Sequence, residues 1–339
     1  MSSDLTSIRS ILWPADPRDA RSQPSSDRRK GSAAGRNGNL SNAPSVNGRG
    51  RHSERILSFV SSIHGESAIE ADALGFMAKM LVQTTLPHRA QPGTQYTRTD
   101  GNVTLSITDL GGAGLPYGAY PRLILIWMTT EALRTGERKL GLGRSLSSFM
   151  GQLGLQCTGG HWGTIPRFRD QMERLFGAAI STRWKQDLGT QSNVGGSNLL
   201  LAEEFDLWWT PQSLPRAPHL QSSVTLSQKF FDQLVEAPVP LDLRAIRALK
   251  QSPLSLDLYA WATRRVSYLE RPTLIPWEAL RRSFGAGYAD TPQGRVKFRA
   301  KVLDAFGRVC RVYSALRLEI EIGGVRLLPS VPHIPRPFR

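Results

Sequence analysis

The chain has 339 residues, 40% of them hydrophobic, a formal net charge of +15, and two cysteines, Cys157 and Cys310. That length fits two or three units of roughly 100–200 residues. The charge calls for a polyanionic partner such as DNA, RNA or an anionic membrane surface, while two distant thiols exclude a disulfide framework and a cysteine-rich zinc site. The longest apolar run, Leu123 to Met128, is far short of the ~20 residues that span a bilayer. Ile11-Leu12-Trp13 runs at once into Pro14 and Asp16, so no secretory leader is expected.

The charge is unevenly spread. Residues 1–52 carry 9 basic against 4 acidic side chains, residues 53–210 carry 14 against 14, and residues 211–339 carry 20 against 10. If the partner is nucleic acid, the last third should supply most of the phosphate contacts. Residues 1–52 are rich in Ser, Gly, Asn, Pro and Arg and read as a disordered basic tail. It is either a solvated leader or a weak nonspecific DNA contact. Residues 53–100 read as an N-terminal helical segment. Ser53 has the character of an N-cap, Ile56, Leu57, Val60 and Ile63 recur at helical spacing, and a second helix is expected from about Ser67 to Gln83.

Residues 101–210 form a first expected module. Asn102 to Asp109 alternates Val103, Leu105 and Ile107 with Thr104, Ser106 and Thr108, the pattern of a half-buried strand. Ala119 to Arg134 is apolar nearly all round and reads as a central helix. A short helix follows from Ser145 to Leu153, then a Gly-rich turn over Gly154–Gly163. Next comes a helix capped by Thr164, with Pro166 in its first turn and Ile165, Phe168, Met172, Leu175 and Phe176 inward. Two strands, about Ala179–Lys185 and Leu199–Trp209, complete a helix–helix–helix–ribbon order, the winged-helix plan.

Three prolines within Pro211–Pro218 mark a linker over residues 211–221. The plan then repeats over 222–328. A strand at Val224-Thr225-Leu226 leads into a helix capped by Ser227, then a short helix from Leu241 to Lys250. A long helix from Pro253 to Leu269 is capped by Ser252. Helices opening at Ile275-Pro276-Trp277 and Thr291-Pro292 follow, then a hairpin over Arg317–Leu328 with Gly323-Gly324 at a positive-φ turn. Residues 329–339 form a Pro-rich tail. The expected fold class is α+β, two tandem winged-helix modules behind a disordered basic N-terminal tail.

The final long helix is the most informative segment. Val296, Phe298, Val302, Leu303, Phe306, Val309 and Cys310 are expected on its packed face. Lys297, Lys301, Asp304, Arg308 and Arg311 lie opposite, with Arg295 and Arg299 near the packed edge. This is the layout of a recognition helix, one face packing and the other offering cations to a groove. The helix from Thr164 repeats the logic with Arg167, Asp170, Gln171 and Arg174 outward. Arg can pair with guanine and Gln with adenine, but the neutral charge of this module leaves protein contact equally open. In the wing, Glu319 and Glu321 would repel phosphate, so any contact there should come from Arg326 and the glycine tip.

Catalytic residues and cofactors are not expected. No glycine precedes a lysine, so there is no GxxxxGK[ST] phosphate loop. The six histidines are scattered, with no HxH pair for a metal-dependent nicking enzyme. His161, in the turn before a helix, suits a backbone or phosphate hydrogen bond better than a metal.

From about Leu74 to Pro332 the chain resembles the RepA-type plasmid replication initiators. The similar stretches include Leu86-Pro87-His88, Gly114-Leu115-Pro116-Tyr117-Gly118, Met128-Thr129-Thr130-Glu131, Ser145-Leu146-Ser147 with Phe149-Met150, and Gly159-Gly160 with Trp162-Gly163-Thr164. Arg169-Asp170-Gln171-Met172, Leu175-Phe176, Leu254-Ser255-Leu256-Asp257-Leu258-Tyr259-Ala260-Trp261 and Ile275-Pro276-Trp277-Glu278 continue the series. The resemblance implies binding of repeated double-stranded DNA at a plasmid origin and loading of host replication proteins such as helicase and initiator. It also implies repression of the initiator's own gene and dimerisation through the first module, while the two lone cysteines suit a reducing bacterial cytoplasm and the short apolar runs suit no membrane attachment. The competing reading is a two-headed winged-helix transcriptional repressor with no initiation role; a nickase or primase is more distant.

Overall fold

The computed structural model describes residues 59–83, 85–100, 103–143, 145–187, 192–208 and 221–335. The expected basic tail, nearly all of the expected linker and the last four residues of the Pro-rich tail lie outside the described residues.

Helix α1 (59–65) is followed by a turn that Ser67 and Glu70 close reciprocally, each backbone N–H donating to the other's side chain at 2.9 and 3.2 Å. The helix expected over 67–83 is not formed. Asp72 has φ 48, which stops helical propagation, and strand β1 (Leu74–Ala78) precedes a single turn of helix α2 (Lys79–Gln83). The cause is tertiary. β1 pairs antiparallel with β9 (Pro238–Asp242), Leu74 opposite Asp242 and Ala78 opposite Pro238. The Phe76 N–H donates to Thr130 Oγ1 at 2.9 Å. Gly75 lies under Leu243, where a Cβ would come within 2.4 Å of that side chain.

Strands β2 (Gln95–Asp100) and β3 (Val103–Asp109) join β5 (Ala178–Asp187) and β6 (Ser192–Leu200) in an antiparallel sheet of order β2-β3-β5-β6. The 53–100 segment therefore contains two strands as well as helix. Leu105, Ile107 and Ile180 form the sheet's buried face. The central helix, α3 (Ala119–Thr135), packs on β1 and is flanked by Gly118 (φ 80) and Gly136 (φ 71). Then come β4 (Lys139–Gly141), α4 (Leu146–Gln152), capped by Ser145, and α5 (Thr164–Phe176). Gly163, not Thr164, is the N-cap of α5. The Thr164 hydroxyl donates instead to the Gln156 carbonyl at 2.6 Å and accepts from the Thr158 N–H at 2.9 Å, closing the Gly-rich turn.

β7 (Ala202–Asp206) continues from β6 after a break at Leu201 and pairs with β8 (Ser223–Leu226). Helix α6 (Gln228–Glu236) is capped by Ser227, α7 (Leu243–Leu249) by Asp242, and α8 (Pro253–Val266) by Ser252 with Pro253 at its first turn. After β10 (Thr273–Pro276) come α9 (Trp277–Phe284) and the 21-residue α10 (Pro292–Val312), capped by Thr291. The hairpin β11 (Leu318–Ile320) and β12 (Gly324–Leu327) completes a sheet of order β10-β12-β11. Its turn is centred on Ile322-Gly323, with Glu321 and Gly324 exchanging backbone bonds. Neither Gly323 nor Gly324 takes the expected positive φ. Gly324 is needed for space, since a Cβ there would lie 2.1 Å from the Ile275 carbonyl oxygen.

The fold is α+β, and the two expected modules share one core. β8, from beyond the expected linker, sits between β4 and β7, and β9 pairs with β1. Three buried arginines link the halves. Arg98 on β2 donates to the Arg281 carbonyl at 3.1 Å and to that of Arg282, at the C-terminal end of α9, where a cation meets the negative end of the helix dipole. Arg244 binds Asp242 at 2.8 Å and the Ser62 and Glu66 carbonyls at 2.8 and 3.0 Å. Arg122 on α3, 1% exposed, grips both carboxylate oxygens of Asp257 on α8 at 2.7 and 2.8 Å. It also donates to the Leu86, Pro87 and Gly118 carbonyls, and His88 closes the cluster 2.7 Å from Asp257.

Burial alone would raise the Asp257 carboxyl, but the charge of Arg122 and the hydrogen bonds from His88 and Arg122 outweigh it and hold the group ionised. Removing one partner strands the other charge. Arg122→Met should therefore cost about 3–5 kcal/mol in urea unfolding, and the double variant with Asp257→Leu should recover most of that loss.

A pH dependence follows from the histidines. Burial lowers His88, partly offset by Asp257, and burial lowers His333 to about 4. Both are neutral when folded at pH 7, whereas the unfolded chain takes up protons below about 6.5. This stability is complete above that value and is lost as pH falls toward the folded values. The urea midpoint should drop between pH 7.5 and 5, and His333→Gln should flatten the slope.

Candidate nucleic-acid interface

Helix α10 packs on α7 and α8, with Phe298, Val302, Ala305, Phe306, Val309 and Val312 buried. Ring contacts fix its rotation: Tyr288 meets Phe298 edge-on at 5.3 Å and Trp261 meets Phe306 at 6.4 Å. Val296 (67% exposed) and Leu303 (37%), expected on the packed face, are turned out to solvent. The buried side centres on Phe298, Ala305 and Val309, so the cations flank the exposed ridge instead of crowning it.

The structure distributes those cations unevenly. Lys297, Lys301 and Arg311 are exposed and have no ion-pair partner among the described residues. Arg295 is exposed but pairs with Asp290 at 2.9 Å, and that hydrogen bond, with the charges of Arg281 and Arg295, lowers the Asp290 carboxyl. Arg299 lies over the Trp277 ring, 5.1 Å from its centroid. Arg308 is half-buried, tied to Asp304 at 3.0 Å and to Ser255 Oγ at 3.0 Å. In the wing, Arg326 is half-buried against Glu321, whose carboxyl it lowers by hydrogen bonding. What the wing tip offers to solvent is Ile322, 96% exposed.

In α5 the expected outward face is largely engaged at home. Gln171 is 4% exposed: its Oε1 accepts the Tyr117 N–H at 2.8 Å and its Nε2 donates to Asp170. Arg174 holds Asp170 at 2.9 Å, reaches the Leu115 carbonyl and lies over the Tyr117 ring. Both are turned toward the returning 111–118 loop, a position helical spacing does not reveal. Arg167 remains exposed, its Nε on the Gly163 carbonyl at 3.1 Å. Just before α5, Trp162 is 84% exposed with His161 edge-on at 4.7 Å. Arg183 and Lys185 on the β5–β6 hairpin are exposed as well. The sequence reading missed Trp162, although a lone aromatic residue inside a Gly-rich turn has no apolar neighbours to pack with.

Among the described residues no group of three or more His, Cys, Asp or Glu side chains is arranged to hold a metal ion, and no helix is long and apolar enough to cross a membrane. Alanine at Lys297, Lys301 and Arg311 together should leave folding intact and flatten the log–log salt dependence of DNA binding. The slope changes by about 0.9 for each phosphate that is no longer neutralised. Gln171→Ala should instead lower the unfolding midpoint and leave the salt slope alone.

Residues 115–278 match the family model described as "Plasmid encoded RepA protein". No curated protein matches the chain. Among solved structures, a crystal structure of selenomethionine derivatives of domains 2 and 3 of RctB aligns with TM-score 0.50 and 9% identity, covering 74% of this chain and 96% of that one. A second crystal structure of RctB domains 2–3 aligns with TM-score 0.46 and 10% identity over 73% and 94%. At such identity the first likeness concerns the fold. The family match begins in the loop before α3 and ends at the start of α9, so it covers Arg122 and Asp257 but neither His88 nor α10. Over that stretch, a little under half of its length, the chain is similar to the RepA-type plasmid replication initiators.

Proposed function

We propose that the chain acts by binding repeated double-stranded DNA at a plasmid origin and by helping to load host replication proteins there, without a catalytic step of its own. The observation that carries this reading is α10. Its inner face is sealed in the core while Lys297, Lys301 and Arg311 stand free, within a helix–strand–helix–helix–hairpin unit whose sheet runs β10-β12-β11. We read that unit, α8 to β12, as a winged helix with α10 as the recognition helix. The run α3, β4, α4, α5, β5 and β6 is read as a second such unit, in which β8 has entered the sheet beside β4.

The two units have different tasks in this reading. The one nearer the C-terminus carries the charge surplus and supplies most phosphate contacts. The one built on α3 and α5, net neutral and with an exposed Trp162, contributes a smaller DNA contact through Arg167 and a surface for protein, whether a second copy or a host replication protein. The protein works in the cytoplasm and represses its own gene where its sites overlap the promoter.

A nuclease-protection footprint on the DNA flanking the gene tests this. Several protected sites in the same orientation, at a regular spacing, are expected. A single inverted repeat would favour a repressor instead, and metal-dependent strand cleavage would show an enzyme.

A further inference from the structure

The exposed ridge of α10 is apolar. Val296, Ala300, Leu303 and Gly307 recur at i, i+4, i+7 and i+11 and all face solvent. The exposed cations lie to either side: Lys297, Lys301 and Arg311 along one flank, Arg295 and Arg299 along the other. Gly307 is the least expected member. It lies in the interior of a 21-residue helix, where glycine is the weakest helix former after proline, and a Cβ there would meet nothing within 4 Å. The fold supplies no reason for glycine at that point, whereas close approach by a partner does.

The charge pattern selects the partner. A helix with side chains is about 10–12 Å across, and the major groove of B-form DNA is about 12 Å wide. Cations on both flanks then meet the phosphates of both strands, and the ridge between them meets base edges. A ridge of Val, Ala, Leu and Gly has no side-chain donor or acceptor to offer there. The apolar group on the groove floor is the C5-methyl of thymine.

Resting on the DNA-binding reading above, we infer that α10 reads thymine methyl groups in the major groove through Val296, Ala300 and Leu303, with Gly307 admitting the DNA to the helix surface. The bound repeat then carries thymines clustered within about one helical turn.

The test uses the full chain and a duplex that it selects from a randomised library, synthesised with thymidine and again with deoxyuridine at every thymidine position. The two differ only in methyl groups, and each buried methyl corresponds to about a fourfold change in affinity. The uracil duplex should bind at least about tenfold more weakly, with an unchanged salt slope. The Val296→Ser, Leu303→Ser double variant should lose most of the difference between the two duplexes. Gly307→Ala should raise the unfolding midpoint, and Gly307→Leu should weaken duplex binding while the protein stays folded. Equal affinity of the unsubstituted chain for the two duplexes, or tight binding by Gly307→Leu, would overturn the inference and leave DNA binding standing. A chain that selects no duplex at all would remove the DNA-binding reading itself, and this inference with it.

Discussion

Asp257 sits on α8 at 5% exposure, and the charge it carries is met by groups from the other half of the chain, Arg122 on α3 and His88 in the loop before it. Taking a carboxylate and a guanidinium out of water costs several kcal/mol per ion, and their attraction offsets this only when geometry and hydrogen bonding are both satisfied. Here they are. Arg122 uses all three of its nitrogens on Asp257 and on three carbonyls of the surrounding loops. Such a cluster tolerates little displacement, so it fixes α3 against α8. Every element of the proposed interface hangs from those two helices: α5 packs on α3, and α10 packs on α8.

This coupling changes what the two helix–helix–hairpin units can do. Independent modules on a proline-rich linker would search for their DNA contacts separately and lose orientational entropy on binding. In this chain strands from each half complete the other's sheets, β8 between β4 and β7 and β9 beside β1. Arg98 adds a third tie by meeting the carbonyl end of α9. The relative placement of α5 and α10 is therefore a property of the folded protein, set before any ligand arrives. A partner that changed it would first have to break the Arg122–Asp257 contact or peel apart a strand pair.

Local chemistry made much of this legible in the sequence. Ser227 and Ser252 cap the helices they were expected to cap, because an N-cap depends on a side chain and an N–H three residues away. The central helix and the β3 alternation were equally plain. The failures share a cause. β1 looks helical by spacing, and its strand state comes from β9, far along the chain. Gln171 and Arg174 lie on the polar side of α5, yet the loop over 111–118 folds back onto them. On α10, hydrophobicity alone assigned Val296 and Leu303 inward, while the ring contacts of Phe298 and Phe306 set the actual rotation. Each of these errors arises where a distant segment decides what a residue touches, whereas Thr164 is diverted locally, closing the Gly-rich turn while Gly163 takes the cap position.

The same distinction bears on the use of net charge as a guide to function. The surplus of basic side chains beyond residue 210 pointed to the part of the chain that holds the candidate interface, but the total overstates what that surface can offer. Arg244 is buried on Asp242, Arg308 is tied to Asp304 and Ser255, Arg326 to Glu321, and Arg281 and Arg295 share Asp290. A guanidinium whose donors are already engaged adds to the long-range field that draws a polyanion in, yet has fewer hydrogen bonds left to fix one in place. Lysines and arginines without such partners are the ones suited to that second role, and on α10 they are Lys297, Lys301 and Arg311, with Arg299 stacked on Trp277. In the proposed mode of binding, attraction is spread over the whole second half of the protein, and register is set by a short stretch of one helix. In that mode the apolar ridge between the cations would govern which DNA is held without having to supply the affinity.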